Sequence, residues 1–119
     1  MYSYNFENLE VWKISLQVTK EAKLITKKFP AEEKYALADQ LRRAASSIAL
    51  NIAEGWGRKT KKDFGRFVSN AIGSTLEVIA SLKIAQNLGY IKEDEIRVLD
   101  TLLRELYFKL LKFGRYLTA

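Results

Sequence analysis

From Ile96 to Leu117 the chain repeats an apolar residue at alternating steps of three and four: Ile96, Leu99, Leu103, Leu106, Leu110, Phe113 and Leu117. The two-residue period of a strand would scatter these side chains over both faces, whereas a helix aligns them in one stripe. Such a stripe must be buried against other helices. Glu93, Asp94 and Glu95 precede it, where the helix dipole favours negative charge, and Lys109, Lys112 and Arg115 load its last turns, where the dipole favours positive charge. One proline and six glycines leave few interruptions, so the rest of the chain also favours long helices over a turn-rich β fold.

Three further helices are predicted. The first covers about 7–28 and stops at Phe29-Pro30, because the residue before a proline disfavours helical geometry. It carries two stripes, Leu9, Trp12, Leu16, Thr19 and Val11, Ile14, Val18, Ala22, Ile25, Phe29, one more than an outer helix of a monomeric bundle needs. The wider surface points to a subunit interface. The second covers about 31–54, with Leu37, Leu41, Ala44, Ile48 and Ile52 toward the core and Gly55 and Gly57 ending it in left-handed geometry. The third covers about 61–88. Thr60 and Asp63 form its capping box and Gly89 stops it. With the fourth at about 92–117 and short connections throughout, the chain 1–119 is expected to form a single all-α domain, an antiparallel up-down-up-down four-helix bundle.

Composition narrows the chemistry. Hydrophobic residues make up 48%, too many for a disordered chain, yet no apolar run approaches the ~18 residues of a membrane span. The N-terminus lacks a signal-peptide pattern, so a cytoplasmic location is the expectation. There is no cysteine and no histidine. Thiolate nucleophiles, thiolate metal sites and the commonest neutral-pH general base are therefore absent. No glycine-rich phosphate loop or nucleophile elbow frames a catalytic candidate either. We therefore expect no enzyme, no cofactor, no metal and no small-molecule substrate.

A row of polar residues interrupts the apolar second helix: Gln40, Arg43, Ser47, Asn51 and Glu54. The third helix carries a matching row, Arg66, Asn70, Ser74, Glu77 and Ser81. In an antiparallel hairpin one register sets Arg43 opposite Glu77, Ser46 opposite Ser74, Asn51 near Asn70 and Glu54 opposite Arg66. Small serines and asparagines suit a hydrogen-bonded seam better than a wet surface, so the two rows are expected to pair and to be architectural.

Between the rows lies the functional candidate. Arg58, Lys59, Lys61, Lys62 and Arg66 fall within nine residues with only Asp63 against them, at the start of a helix where positive charge opposes the dipole. Local stability does not explain that placement, whereas contact with phosphate does. The net charge of +6 agrees with a polyanionic partner. Trp56, between two glycines, either stacks on an unpaired base or folds over the bundle end. In an antiparallel bundle Lys109, Lys112 and Arg115 would share that end.

The stretch Gln40-Leu41-Arg42-Arg43-Ala44-Ala45-Ser46-Ser47-Ile48, followed by Asn51-Ile52-Ala53-Glu54-Gly55, resembles the signature of the 23S rRNA intervening-sequence family of four-helix bundles. Phe6, Leu9, Val11, Trp12, Phe29-Pro30, Phe64, Phe67, Gly73-Ser74 and Glu77 support the likeness. Trp56 stands where another aromatic is usual, and Ala49-Leu50 varies a position often held by proline or alanine. The resemblance implies a bacterial, cytoplasmic bundle that assembles as a ring-like homopentamer. It also implies kinship with accessory proteins of diversity-generating retroelements, whose basic ring surface is thought to meet nucleic acid and a reverse transcriptase. The family name refers to a gene location. Two functions follow as expectations: binding of RNA or DNA through phosphates with low sequence specificity, or a protein-interaction scaffold for a nucleic-acid enzyme.

Overall fold

The computed structural model describes residues 1–119, and its helices follow the apolar stripes. Helix α1 spans Glu10–Thr26, α2 Leu37–Trp56, α3 Lys61–Asn87 and α4 Arg97–Thr118, with single 3₁₀ turns at Asn5–Asn8, Ala31–Glu33 and Glu93–Ile96. There are no strands. Each helix packs on two neighbours, α2 on α1 and α3, and α4 on α3 and α1. Contacts pair rising residue numbers on one helix with falling numbers on the next: Thr19 with Ala45 and Thr26 with Arg42, then Gln40 with Glu77 and Ser47 with Ser74. Likewise Lys61 meets Tyr116 while Gln86 meets Glu93, and Glu10 meets Lys109 while Lys28 meets Glu95. The result is a four-helix bundle of 44 × 32 × 22 Å.

The core joins all four helices. Val18, Leu41, Ile48, Ile52, Val68, Val78, Leu103, Leu106 and Leu110 are fully buried, and Ala22, Ala45, Ala71 and Ala85 let the rods approach closely. Ser15 and Thr75, buried among them, donate to carbonyls of their own helices, at Trp12 and Ala71. No buried side-chain nitrogen or oxygen lacks a partner, as the expense of stranding one in an apolar interior demands.

The helix ends show where local chemistry departs from the sequence pattern. As expected, the Thr60 hydroxyl accepts the Asp63 backbone N–H at 3.1 Å and starts α3. Gly89, at φ +79°, closes it: Tyr90 N–H reaches the Ala85 carbonyl and Gly89 N–H the Gln86 carbonyl, the paired bonds of a left-handed C-terminal cap.

The second helix, however, begins at Leu37 and not near residue 31. The Glu33 carboxylate explains the delay. One oxygen accepts the Leu37 N–H (3.3 Å) and the other accepts the Tyr90 hydroxyl (2.7 Å), so the 3₁₀ turn ties the start of α2 to the α3–α4 connection. The expected left-handed stop at Gly55 and Gly57 is also corrected. Gly57 has φ −77°, and Gly55 lies inside the helix. A Cβ at Gly55 would sit 2.7 Å from Phe64 Cδ1 and 2.8 Å from Phe67 Cβ, so this glycine admits the start of α3.

Candidate nucleic-acid interface

The antiparallel arrangement brings the end of α2, the basic loop, the start of α3 and the end of α4 to one end of the bundle. Lys61 Nζ stands 4.8 Å above the Tyr116 ring and 3.4 Å from its hydroxyl, joining the loop to α4 as expected. The five cations of the loop and the first turns of α3 fall into two groups. Arg58 and Arg66 are held. Arg58 pairs with Glu54 (3.0 Å) and Arg66 with Asp63 (2.9 Å), and their guanidinium carbons lie 4.4 and 4.7 Å from the Phe67 ring centre. Arg58 thus ties the loop to Glu54 of α2 and Phe67 of α3, while Arg66 is held within α3. Lys59 and Lys62 are exposed and make no ion pair, and Lys61 has only Tyr116. Five cations against the two carboxylates Glu54 and Asp63 leave three positive charges.

From α4, Lys112 and Arg115 add exposed cations without ion pairs. Lys109 does not join them. It pairs with Glu10 and Glu105, and the hydrogen bond it donates to Glu10 raises its pKa above the ordinary lysine value, with Glu105 adding to the shift.

Trp56 folds over the bundle end, one of the two placements considered for it. Its ring meets Phe64 edge-on (6.2 Å), yet the residue stays 42% exposed. Phe64 meets Phe113 edge-on (5.2 Å), and Phe113 lies nearly parallel to Tyr116 at 6.5 Å. Trp56, Phe64, Phe113 and Tyr116 thus form one aromatic row across the basic end, exposed at both tips. The sequence pattern alone did not select Phe64, Phe113 or Tyr116 as site residues. The available signal was the Phe113/Tyr116 pair, three apart in the last turns of α4, read together with the antiparallel neighbour Lys61.

The polar seam forms in part. Gln40 donates to Glu77 (3.4 Å), the Ser74 hydroxyl donates to Ser47 (3.0 Å), and the Asn51 amide donates to the Ser47 hydroxyl (3.1 Å) and carbonyl (2.8 Å). None of the four pairs of the expected register forms. Arg43 is exposed and bonds Asp39 (3.0 Å), one helical turn away, leaving Glu77 to Gln40. Ser46 donates back to the Arg42 carbonyl, Glu54 takes Arg58 in place of Arg66, and Asn70 is exposed. Ser81 is buried and makes no side-chain bond to α2. The seam is thus half-buried at its centre and wet at its ends. Glu54, Asn51 and Glu77 engage separate partners and do not converge as an acid–base set. No group of three or more metal-binding side chains occurs, and no helix is long and apolar enough to cross a membrane.

Fold and site together define a class, the basic four-helix bundles with an aromatic-lined cationic end. Residues 7–112 match the 23S rRNA-intervening sequence proteins, and the chain belongs to that family. Its fold is similar to the 1.70 Å crystal structure of a protein of unknown function from the S23 ribosomal protein family of Bacteroides thetaiotaomicron VPI-5482. The TM-score is 0.80 at 21% identity, over 87% of this chain and 97% of that one. No curated protein matches the chain.

Proposed function

We propose that this chain is a non-enzymatic, cytoplasmic, self-associating bundle that binds RNA or DNA through phosphate contacts at its basic end. One observation carries the reading: Lys59, Lys62, Lys112 and Arg115, all without ion pairs, share that end with an aromatic row exposed at both tips. Ammonium and guanidinium groups neutralise phosphates whatever the base, so sequence specificity is low. Self-association is supported by apolar side chains exposed on every helix, among them Leu16, Leu50, Leu76, Ile84 and Phe108. A ring of copies repeats the cationic end and adds weak contacts through avidity.

A second reading, an accessory scaffold that docks a nucleic-acid enzyme, draws on the same exposed apolar residues, with Leu50 66% and Val98 62% exposed.

Light scattering coupled to size exclusion, alone and with structured RNA or single-stranded DNA, tests the proposal. It predicts a mass several times that of one chain and co-elution with nucleic acid at low salt. A single chain eluting apart from both ligands at low salt refutes it. Capture of a polymerase that persists after nuclease treatment favours the scaffold.

A further inference from the structure

Beside the aromatic row lies a groove of about 430 Å³ between the start of α1 and the end of α4. That volume falls among the ~300–1,000 Å³ of small-ligand sites, and it suits one planar ring with its sugar better than an extended chain. Its apolar walls are Leu9, Val11, Phe113 and Tyr116. The two rings come from one helix and are inclined to each other by only 13°, so the groove offers aromatic faces in one orientation. Tyr116 is 61% exposed even with Lys61 against it, so part of the ring remains open.

Charge distinguishes this groove from a simple apolar slot. Lys109, Lys112 and Glu10 complete its lining. Glu10 is ion-paired with Lys109, which also meets Glu105, so the groove's one carboxylate is already engaged by a cation. Lys112 has no ion pair, and Lys61 stands over the neighbouring ring. Planar apolar faces flanked by free cations are complementary to an aromatic ring that carries an anion. An aliphatic lipid tail or a leucine side chain uses neither feature.

We propose that this groove receives one unpaired nucleobase, stacked on Tyr116 and Phe113, while Lys112 and Lys61 hold the adjoining phosphates. The inference rests on the nucleic-acid reading above and gives it a ligand class, single strands in preference to duplexes. In a duplex each base is stacked and paired, so its faces cannot enter a recess between two helices. The phosphates alone would then make contact. In a single strand the faces are free, and the exposed tip at Trp56 offers a second stacking surface further along the row.

Fluorescence anisotropy with labelled oligouridylate and with a fully paired RNA hairpin of equal phosphate count tests this, using the full-length protein at one salt concentration. With the hairpin closed by a non-nucleotide linker, so that every base is paired, wild type should bind the strand about tenfold more tightly than the hairpin, the scale of one lost stacking contact. Tyr116→Ala should remove that preference while leaving hairpin binding unchanged, and Tyr116→Phe should restore it. A role confined to stability would weaken both ligands alike. The double variant Lys59→Ala/Lys62→Ala should weaken strand and hairpin together. Equal wild-type affinity for strand and hairpin overturns the inference even if Tyr116→Ala does not fold. So does undiminished strand binding by a folded Tyr116→Ala, while the charge effect leaves the phosphate reading standing. If neither ligand binds, both fall.

Discussion

Gly55→Ala tests whether the basic loop is held by close contact between α2 and α3. On an open helix surface the substitution is favourable, since alanine gains about 0.5–1 kcal/mol over glycine in a helix interior. At residue 55 the new Cβ would lie 2.7 and 3.0 Å from two atoms of the Phe64 ring and 2.8 Å from Phe67 Cβ. The Phe64 ring is wedged between Trp56 and Phe113, and Phe67 Cβ moves only with the α3 backbone. Overpacking of this kind costs about 1–3 kcal/mol, so after the helix gain the net loss is up to about 2.5 kcal/mol, and a little over ~1 kcal/mol at the middle of the ranges. For a domain of this size that lowers the melting temperature by roughly 3–8 °C. Gly73→Ala supplies the control: the same chemical change inside α3, with no atom within 4 Å of the new Cβ, should raise stability by about 0.5–1 kcal/mol. Urea unfolding followed by far-ultraviolet circular dichroism, at one protein concentration, compares the two. A Gly55→Ala protein as stable as wild type would refute the packing argument.

Other expectations follow from the helix ends and the ion pairs. Thr60→Ala removes the hydroxyl that accepts the Asp63 N–H and should lower stability by about 1 kcal/mol in the same urea assay; no change would show the cap to be idle. Gly89→Ala forces a Cβ into φ +79° and should cost about 1 kcal/mol or more although nothing crowds it, so a neutral result would count against the left-handed cap. At acid pH, the Lys28 ammonium and then the Lys92 backbone N–H hold Glu95 below its ordinary 4.5. A depressed carboxylate stabilises the fold above that value and loses its contribution as pH falls through the folded-state value, so Glu95→Gln should flatten the acid limb of the urea midpoint. At alkaline pH, the hydrogen bond to Glu33 raises Tyr90 above 10.0. Its contribution is complete below that value and is lost as pH climbs through the raised one, so Tyr90→Phe should flatten the alkaline limb. Parallel curves for variant and wild type would contradict either assignment.

The sequence made some of these features legible and hid others for definable reasons. The alternating three-four repeat of α4 fixed its buried face because Leu99, Leu103, Leu106 and Leu110 can meet a core on one side only. The rows of the seam, though not their register, were readable in the same way, since Gln40 and Ser47 lie along one edge of α2 and their partners Glu77 and Ser74 along one edge of α3, while Asn51 turns back to Ser47. Arg43, Glu54 and Arg66 followed a competing rule. Each found an opposite charge three or four residues away, Asp39, Arg58 or Asp63, and a pair within one helix orders less chain than a pair between two. Gly55 resembled a stop signal because the Phe64 and Phe67 side chains that require it belong to the next helix. Tyr116 carried no signal of its own. Its role depends on Lys61, 55 residues earlier in the chain, being brought over its ring.

The family match and the bundle establish what this chain is, and the proposed activity depends on the uncompensated charge at one end. Arg58 and Arg66 already serve the fold, so the account assigns phosphate contact first to Lys59 and Lys62. The most direct test is the affinity for a labelled single-stranded RNA across a series of salt concentrations, for wild type and for Lys59→Ala/Lys62→Ala. Log affinity should fall steeply with log salt, with a slope smaller in the double variant by about 0.7 for each lost single-strand phosphate contact. Affinity that ignores salt, or that survives the double substitution with its slope intact, would contradict it.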